Sequence, residues 1–230
     1  MTTSRRPQRR VLAACLTVLT TSLLATAVAP ASAAGAVRVP LYYQQLGDDC
    51  EATALRMVLA AYGVREQDRT ILDAIGVDLD HPEFGHSGSR SGDPFKAFVG
   101  DPDGSESDGT GYGVYYPPVA AAARGYGLTV VAAGQGIAPA TVRGHVESGR
   151  PAIVWVDYLW RHLPDQPYTA YDGRSIPYAG PAEHTVVVTG YTDDTVTVND
   201  PARGKLSVPR ADFEAGYATY GAMAVLLDGA

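Results

Sequence analysis

The 230-residue chain carries 18 Lys and Arg against 25 Asp and Glu, a formal net charge of −7, and two cysteines. An acidic surface of this kind repels nucleic acid and anionic lipid, so neither is expected as a partner. No repeat or linker divides the chain, and its length fits a single domain behind a targeting segment.

In chain order, residues 1–10 hold Arg5, Arg6, Arg9 and Arg10 and no acid. An apolar run from Val11 to Val28 follows, then Pro30 and the small triplet Ala31-Ser32-Ala33. This is the pattern of a secretory signal peptide, with cleavage expected after Ala33 and residues 34–230 as the exported domain. The apolar run is nearly long enough to span a bilayer, so an uncleaved anchor is the rival reading. Its threonines, its serine and the A-x-A site weigh against that. Leu12-Ala13-Ala14-Cys15 has the letters of a lipoprotein box, but its apolar stretch comes after the cysteine instead of before it. Arg5-Arg6 lacks the apolar residues that follow a twin-arginine pair. Cleavage takes four arginines and no acids, leaving 14 basic against 25 acidic side chains, a net of −11. The expected product is a secreted, extracellular monomer with no stable membrane insertion.

Cys50 is then the single cysteine of the mature chain. It has no internal disulfide partner in a compartment where thiols oxidise. Taken alone it reads as a small buried hydrophobe; its neighbours point to chemistry. Gly47-Asp48-Asp49 is turn-like, and either aspartate can cap a helix over Glu51–Tyr62, with Ala54, Leu55, Val58, Leu59, Ala61 and Tyr62 at helical spacing and Gly63 as its stop. A thiol in the first turn sits at the positive end of the helix dipole, which lowers its pKa. Asp48 and Asp49 oppose that, so an imidazolium partner is required.

Asp68–Ile75 reads as a short helix. The stretch from His81 to Gly113 is rich in Gly, Ser and Asp and too long for an idle connection, so it is expected to border a substrate cleft. His81 and His86 flank a glutamate there without the spacing of a zinc motif. Asp101 to Asp108 lacks the glycine and terminal glutamate of a calcium loop. Neither a metal nor a cofactor is therefore expected. Val119–Tyr126 and Ala140–Ser148 read as helices, with His145 a packed or surface residue. Leu128–Val131 and Pro151–Asp157 read as strands. Tyr158–Tyr178, containing His162 and several aromatics, is expected as a second cleft wall or an ordered surface loop.

His184 opens a β-branched strand through Tyr191, Thr192-Asp193-Asp194 turns the chain, and Thr195–Asp200 runs back to Pro201. Alternation places Val196, Val198 and Asp200 on one face, and His184, Val186 and Val188 on one face of the first strand. If the valine-rich faces point inward, His184 and Asp200 meet near one end of the hairpin, within reach as diagonal neighbours. Such a carboxylate fixes the imidazole tautomer and stabilises the imidazolium, leaving the other nitrogen for a thiol. Lys205–Val208 and Met223–Leu227 are further strands, with a short helix over Asp212–Gly216. Helices early and strands late give an α+β fold class.

Three blocks resemble the C39-like cysteine peptidase family: Val39 to Gln45 with Cys50 to Gly63; Gly92 to Tyr115; and Glu183 to Tyr191 with Val198-Asn199-Asp200-Pro201. The resemblance covers nearly the whole mature chain. It implies a papain-like fold whose N-terminal helix carries the nucleophile and packs on an antiparallel β-sheet. It implies Cys50 as nucleophile, His184 as base and Asp200 as orienting acid. It also implies a glutamine upstream of the thiol that donates to the oxyanion, Gln44 by position, with Gln45 the competitor. Members with well-defined substrates are fused to peptide-exporting transporters; these residues contain none, so specificity for double-glycine leaders does not carry over. The expected reaction is hydrolysis of a peptide or protein substrate. The alternatives are acyl transfer on the same triad, as in a transpeptidase or transglutaminase-like enzyme, and a non-catalytic peptide-binding module.

Overall fold

The computed structural model describes residues 1–2 and 38–229. The expected signal segment and Cys15 lie outside the described residues. Among those described, no helix is long and apolar enough to cross a membrane.

The elements run α1 Cys50–Ala61, α2 Asp68–Ile75, β1 Val77–Asp78, β2 Phe98–Gly100, β3 Gly111–Gly113, α3 Tyr116–Gly125, β4 Thr129–Gly134 and α4 Pro139–Glu147. They continue with β5 Ala152–Asp157, β6 Tyr168–Thr169, β7 Ser175–Ile176, β8 Glu183–Tyr191, β9 Thr195–Asp200, β10 Gly204–Pro209, α5 Arg210–Thr219 and β11 Ala224–Asp228. Six strands form the main sheet in the order β10-β9-β8-β5-β11-β4. Every pairing in it is antiparallel. This is the papain-like α+β arrangement, with α1 packed on the sheet.

β5 shows why the sheet is covered on both sides. All six of its residues are buried, and their side chains alternate between two cores. Ile153 and Trp155 join Leu55, Val119, Val187 and Val225 on the side of α1 and α3. Val154 and Val156 join Val142, Val186, Val188, Val198, Phe213 and Tyr217 on the side of α4 and α5. A strand buried on both faces loses the apolar–polar alternation of a solvated sheet and reads as a continuous hydrophobic run. Each large apolar side chain removed from water contributes about 1.5–3 kcal/mol.

α1 begins at Cys50, with Asp49 at its N-cap, but no aspartate side chain makes a capping hydrogen bond. Gly63 follows the C-cap Tyr62 at φ 84, the left-handed turn that ends the helix. The expected helix over Val119–Tyr126 starts earlier, at Tyr116, because Pro117 and Pro118 occupy its first turn, where a missing N–H costs nothing. The stretch from His81 to Gly113 is not wholly irregular: it supplies β2 and β3, which join β1 in a small second sheet. Trp155 ties this sheet to the main one, its indole Nε1 donating to the Val114 carbonyl at 3.0 Å.

Candidate active site

A cleft of about 470 Å³ opens where the start of α1 meets the start of β8. Gln44, Cys50 and His184 all line it. The Ser105–Ser107 stretch forms one wall, as expected of the long loop, and Tyr158, Leu159 and Arg161 form the other. That second wall hangs on Asp157, which accepts hydrogen bonds from the Leu159 and Arg161 amides and from the Arg161 guanidinium. Burial alone would raise the Asp157 carboxyl, but these donors hold it below the usual carboxylate range.

His184 and Asp200 meet. His184 Nε2 lies 2.9 Å from Asp200 Oδ1, with both side chains buried. The register explains it: Val187 pairs with Asn199, so His184 and Asp200 are diagonal neighbours with the same parity as the core valines Val186 and Val198. Asp200 is a hub. Its Oδ1 also accepts the Ala202 and Arg203 amides at 2.8 and 2.9 Å, and its Oδ2 accepts Arg203 Nε at 2.7 Å. Burial pushes Asp200 up, but His184 and Arg203 outweigh it and hold the carboxyl at about 2. Arg203 also donates to the Tyr158 carbonyl and stacks over the Tyr158 ring at 4.0 Å. Tyr158 in turn meets the imidazole edge-on at 5.0 Å. Arg203, Tyr158 and Asp200 therefore lock the imidazole on one side, leaving Nδ1 without a hydrogen bond among the described residues.

Cys50 and His184 line one cleft, yet no hydrogen bond joins them. The thiol donates to Glu51 Oε2 at 3.4 Å instead. Strand parity gives the reason. Glu183 and Thr185 pair with Asp157 and Trp155, so they share the α1 side with Trp155, whereas His184 belongs to the opposite face. The immediate company of Cys50 is thus carboxylic. Burial drives the thiol pKa well up, and Glu51, Glu183 and Asp48 add to it, opposed only by the Thr185 amide. In this state Cys50 is a protonated thiol.

The acids around it are raised as well. Burial takes Glu51 to about 8, against the hydrogen bond that Val114 N donates to it at 2.6 Å. Glu183 and Glu106 are pushed well above their ordinary value by burial and then by neighbouring carboxyls. Glu106 Oε2 accepts the Glu183 amide at 3.0 Å, which pins the loop wall to the first residue of β8. Asp48 rises to about 7 through burial and Asp49.

Of the two glutamines, Gln44 faces the cleft. Its amide donates to the Leu46 and Gly47 carbonyls at 3.2 and 2.8 Å, and its backbone N–H donates to Pro201 O at 3.0 Å. Gln45 is exposed and points to Gln67. His145 is packed, its Nε2 within 3.1 and 3.0 Å of the Pro151 and Leu227 carbonyls. His81 pairs with Asp78 and stacks on Tyr171. Neither approaches the cleft lining.

Glu51, Glu183, Glu106 and Arg203 are site residues that the sequence did not single out. Glu51 and Glu183 directly follow and precede Cys50 and His184, and that adjacency was the available signal. Arg203 lies three residues past Asp200 in the turn that Asp200 caps. Glu106 carried no local signal.

Comparison with known proteins agrees with this architecture. Residues 37–225 match the model of the Peptidase_C39 like family. The uncharacterized protein YvpB of Bacillus subtilis (strain 168) is 31% identical over 188 residues, covering 80% of this chain and 70% of its own. A crystal structure of a C39-like protein from Bacillus anthracis superposes with a TM-score of 0.71 at 24% identity, over 84% of this chain and 96% of that one. The peptidase domain of Streptococcus ComA, a bifunctional ABC transporter of a quorum-sensing pathway, gives 0.50 at 14% identity, over 83% and 98%. With the helix-borne thiol, the papain-like sheet and a match spanning most of its length, this chain is a member of the C39-like peptidase family.

Proposed function

We propose that this protein is an exported thiol peptidase in which Cys50 attacks a peptide carbonyl, His184 carries the proton and Asp200 orients the imidazole. The observation that supports the reading best is the buried 2.9 Å bond between His184 Nε2 and Asp200 Oδ1. It leaves Nδ1 for the thiol, in the wall of the cleft that Cys50 lines. The resting thiol donates to Glu51, so it first exchanges that partner for His184 Nδ1 and then gives its own proton to the imidazole. Catalytic hydrogen bonds that are long or absent without substrate commonly tighten when it binds. Attack of the thiolate gives a tetrahedral oxyanion, held by the Gln44 amide and the Cys50 backbone N–H. Both Gln44 amide protons serve loop carbonyls at rest, so one must turn into the cleft. The imidazolium protonates the leaving amine, and water, deprotonated by His184, releases the acyl group from sulfur.

Cys50→Ala is expected to abolish cleavage of a diverse peptide library while changing folding stability by only about 1 kcal/mol, as loss of one small buried group does. The checks are mass spectrometry of the products and thermal unfolding. A wild-type protein inert to the library and to thiol-directed probes would reject the enzyme. One observation favours a second reading, a peptide-binding module: the thiol is protonated and bound to Glu51 at rest. Peptide retention without turnover, equal in wild type and Cys50→Ala, would support that reading.

A further inference from the structure

Cys50, Glu51 and Glu183 each offer one ligand atom, and the three atoms lie within 4.8 Å of one another. Cys50 Sγ and Glu51 Oε2 are 3.4 Å apart. Bonds of about 2.3 Å to sulfur and about 2.1 Å to oxygen, at a tetrahedral angle, separate two ligands by about 3.6 Å. That pair of atoms therefore already has the spacing of two ligands on one ion.

Glu183 supplies the second observation. It is only 6% exposed. Its Oε1 accepts the Thr185 hydroxyl, but its Oε2 is buried with no hydrogen-bond partner. That oxygen lies beside the Glu51 carboxyl: a Cβ at Gly113 would stand 2.9 Å from it and 2.4 Å from Glu51 Oε1. Among the described residues no lysine, arginine or histidine forms an ion pair with Glu51 or Glu183. A buried carboxyl without a charged partner is costly to ionise, and a cation lowers that cost. A substrate lysine or arginine is too large for the role, because Glu51 is 0% and Cys50 4% exposed. Thiolate with carboxylates is a donor set for a borderline-soft ion such as zinc and not for calcium or magnesium, which take oxygen alone.

We propose that Cys50, Glu51 and Glu183 form a zinc-class divalent-cation site in the floor of the cleft, with its fourth position open to the cleft. Binding forms one metal–sulfur and two metal–oxygen bonds and sends the thiol proton, with the protons that burial keeps on the two carboxyls, to solvent, with no change of oxidation state. One consequence rests on Cys50 being the nucleophile. The bound ion occupies the sulfur lone pair that would attack the carbonyl, so it blocks turnover reversibly and a chelator restores it.

The test uses the full chain, stripped with chelator and titrated with Zn²⁺ against a chromophoric competitor, then with Co²⁺ by absorbance. One-to-one binding is expected, with a thiolate-to-cobalt charge-transfer band in the near ultraviolet. Cys50→Ser should lose the band. Glu51→Gln and Glu183→Gln keep the acceptors that Val114 and Thr185 use, and each should weaken zinc at least about tenfold, since even outer-shell losses cost that much. Absence of binding, binding without the band, or a band and affinity unchanged by both glutamines would overturn the site. None of these readouts needs a substrate, so the site stands or falls separately from the peptidase reading. Peptide cleavage unaffected by zinc in a protein that binds it would overturn the blocking role.

Discussion

Gln44 and Gln45 differ by one position, and an offset from the thiol is too coarse to choose between them. The chain path brings Gln44, and not Gln45, to the cleft lining. The Gln44 amide N–H is held by Pro201 O, on the residue after Asp200, so the loop before α1 is stitched to the end of β9 and turns Gln44 into the cleft. Gln44→Ala is expected to lower kcat by about 10²- to 10³-fold, the usual cost of an oxyanion donor. Gln45→Ala should leave it unchanged, and steady-state kinetics on the two variants checks the assignment. At this scale the sequence exposed Cys50, His184 and Asp200, because each stands at an element boundary with a strong local pattern. It hid the role of Glu51 and Glu183, because a carboxylate beside a catalytic candidate has no spacing rule until its burial is known.

Among the elements, β3 is where conformation and site meet. Gly113 has φ 140, a backbone that side chains rarely adopt, and its α-carbon faces Glu51 Oε1 and Glu183 Oε2. A side chain there has no room and no comfortable backbone. Gly113→Ala is expected to lower folding stability by about 1–3 kcal/mol for the strained backbone alone, read as a lower urea midpoint with the m-value unchanged. Displacement of Glu51 would also break its bond from Val114 N, shifting the reactivity of Cys50 to alkylating probes. The sequence showed α1, α2, β5 and the β8–β9 hairpin within a residue or two, since each is long enough to express its period. It did not show β1, β2 and β3. Strands of two or three residues, two of them glycine-containing, have no period to read, and they exist because neighbours supply their hydrogen bonds.

For the whole molecule, the buried acids set the pH dependence of stability. Burial lifts Glu51 from 4.5 to about 8 and Asp48 and Asp49 from 3.8 to about 7. Between their ordinary and raised values the native state holds more protons than the unfolded chain. Stability therefore falls as pH rises from about 4 to about 8. Asp200 works in the opposite sense. Despite the opposing effect of burial, it is held at about 2 against 3.8 by His184 and Arg203, so its contribution is present above pH 4 and lost as pH drops through 2. The expected melting temperature peaks near pH 4–5 and declines on both sides, and Glu51→Gln should flatten the alkaline limb. Calorimetry across that range reads both; a melting temperature that rises steadily from pH 5 to pH 8 would contradict the arrangement of carboxyls.

The sequence by itself determined the fold class, the helix that begins at Cys50 and the pairing of His184 with Asp200. Periodicity and capping are local, and the valine-rich faces of the two strands mark His184 and Asp200 as one side, although a register shift between Val188 and Gly190 is what brings them into phase. Only the tertiary structure decided which side of the sheet faces the thiol. Strand alternation puts His184 on one face and Glu183 on the other, and α1 packs against the face of Glu183, so the resting thiol meets carboxyls before it meets imidazole. That choice depends on which helix covers which core, a matter of packing between residues far apart in the chain.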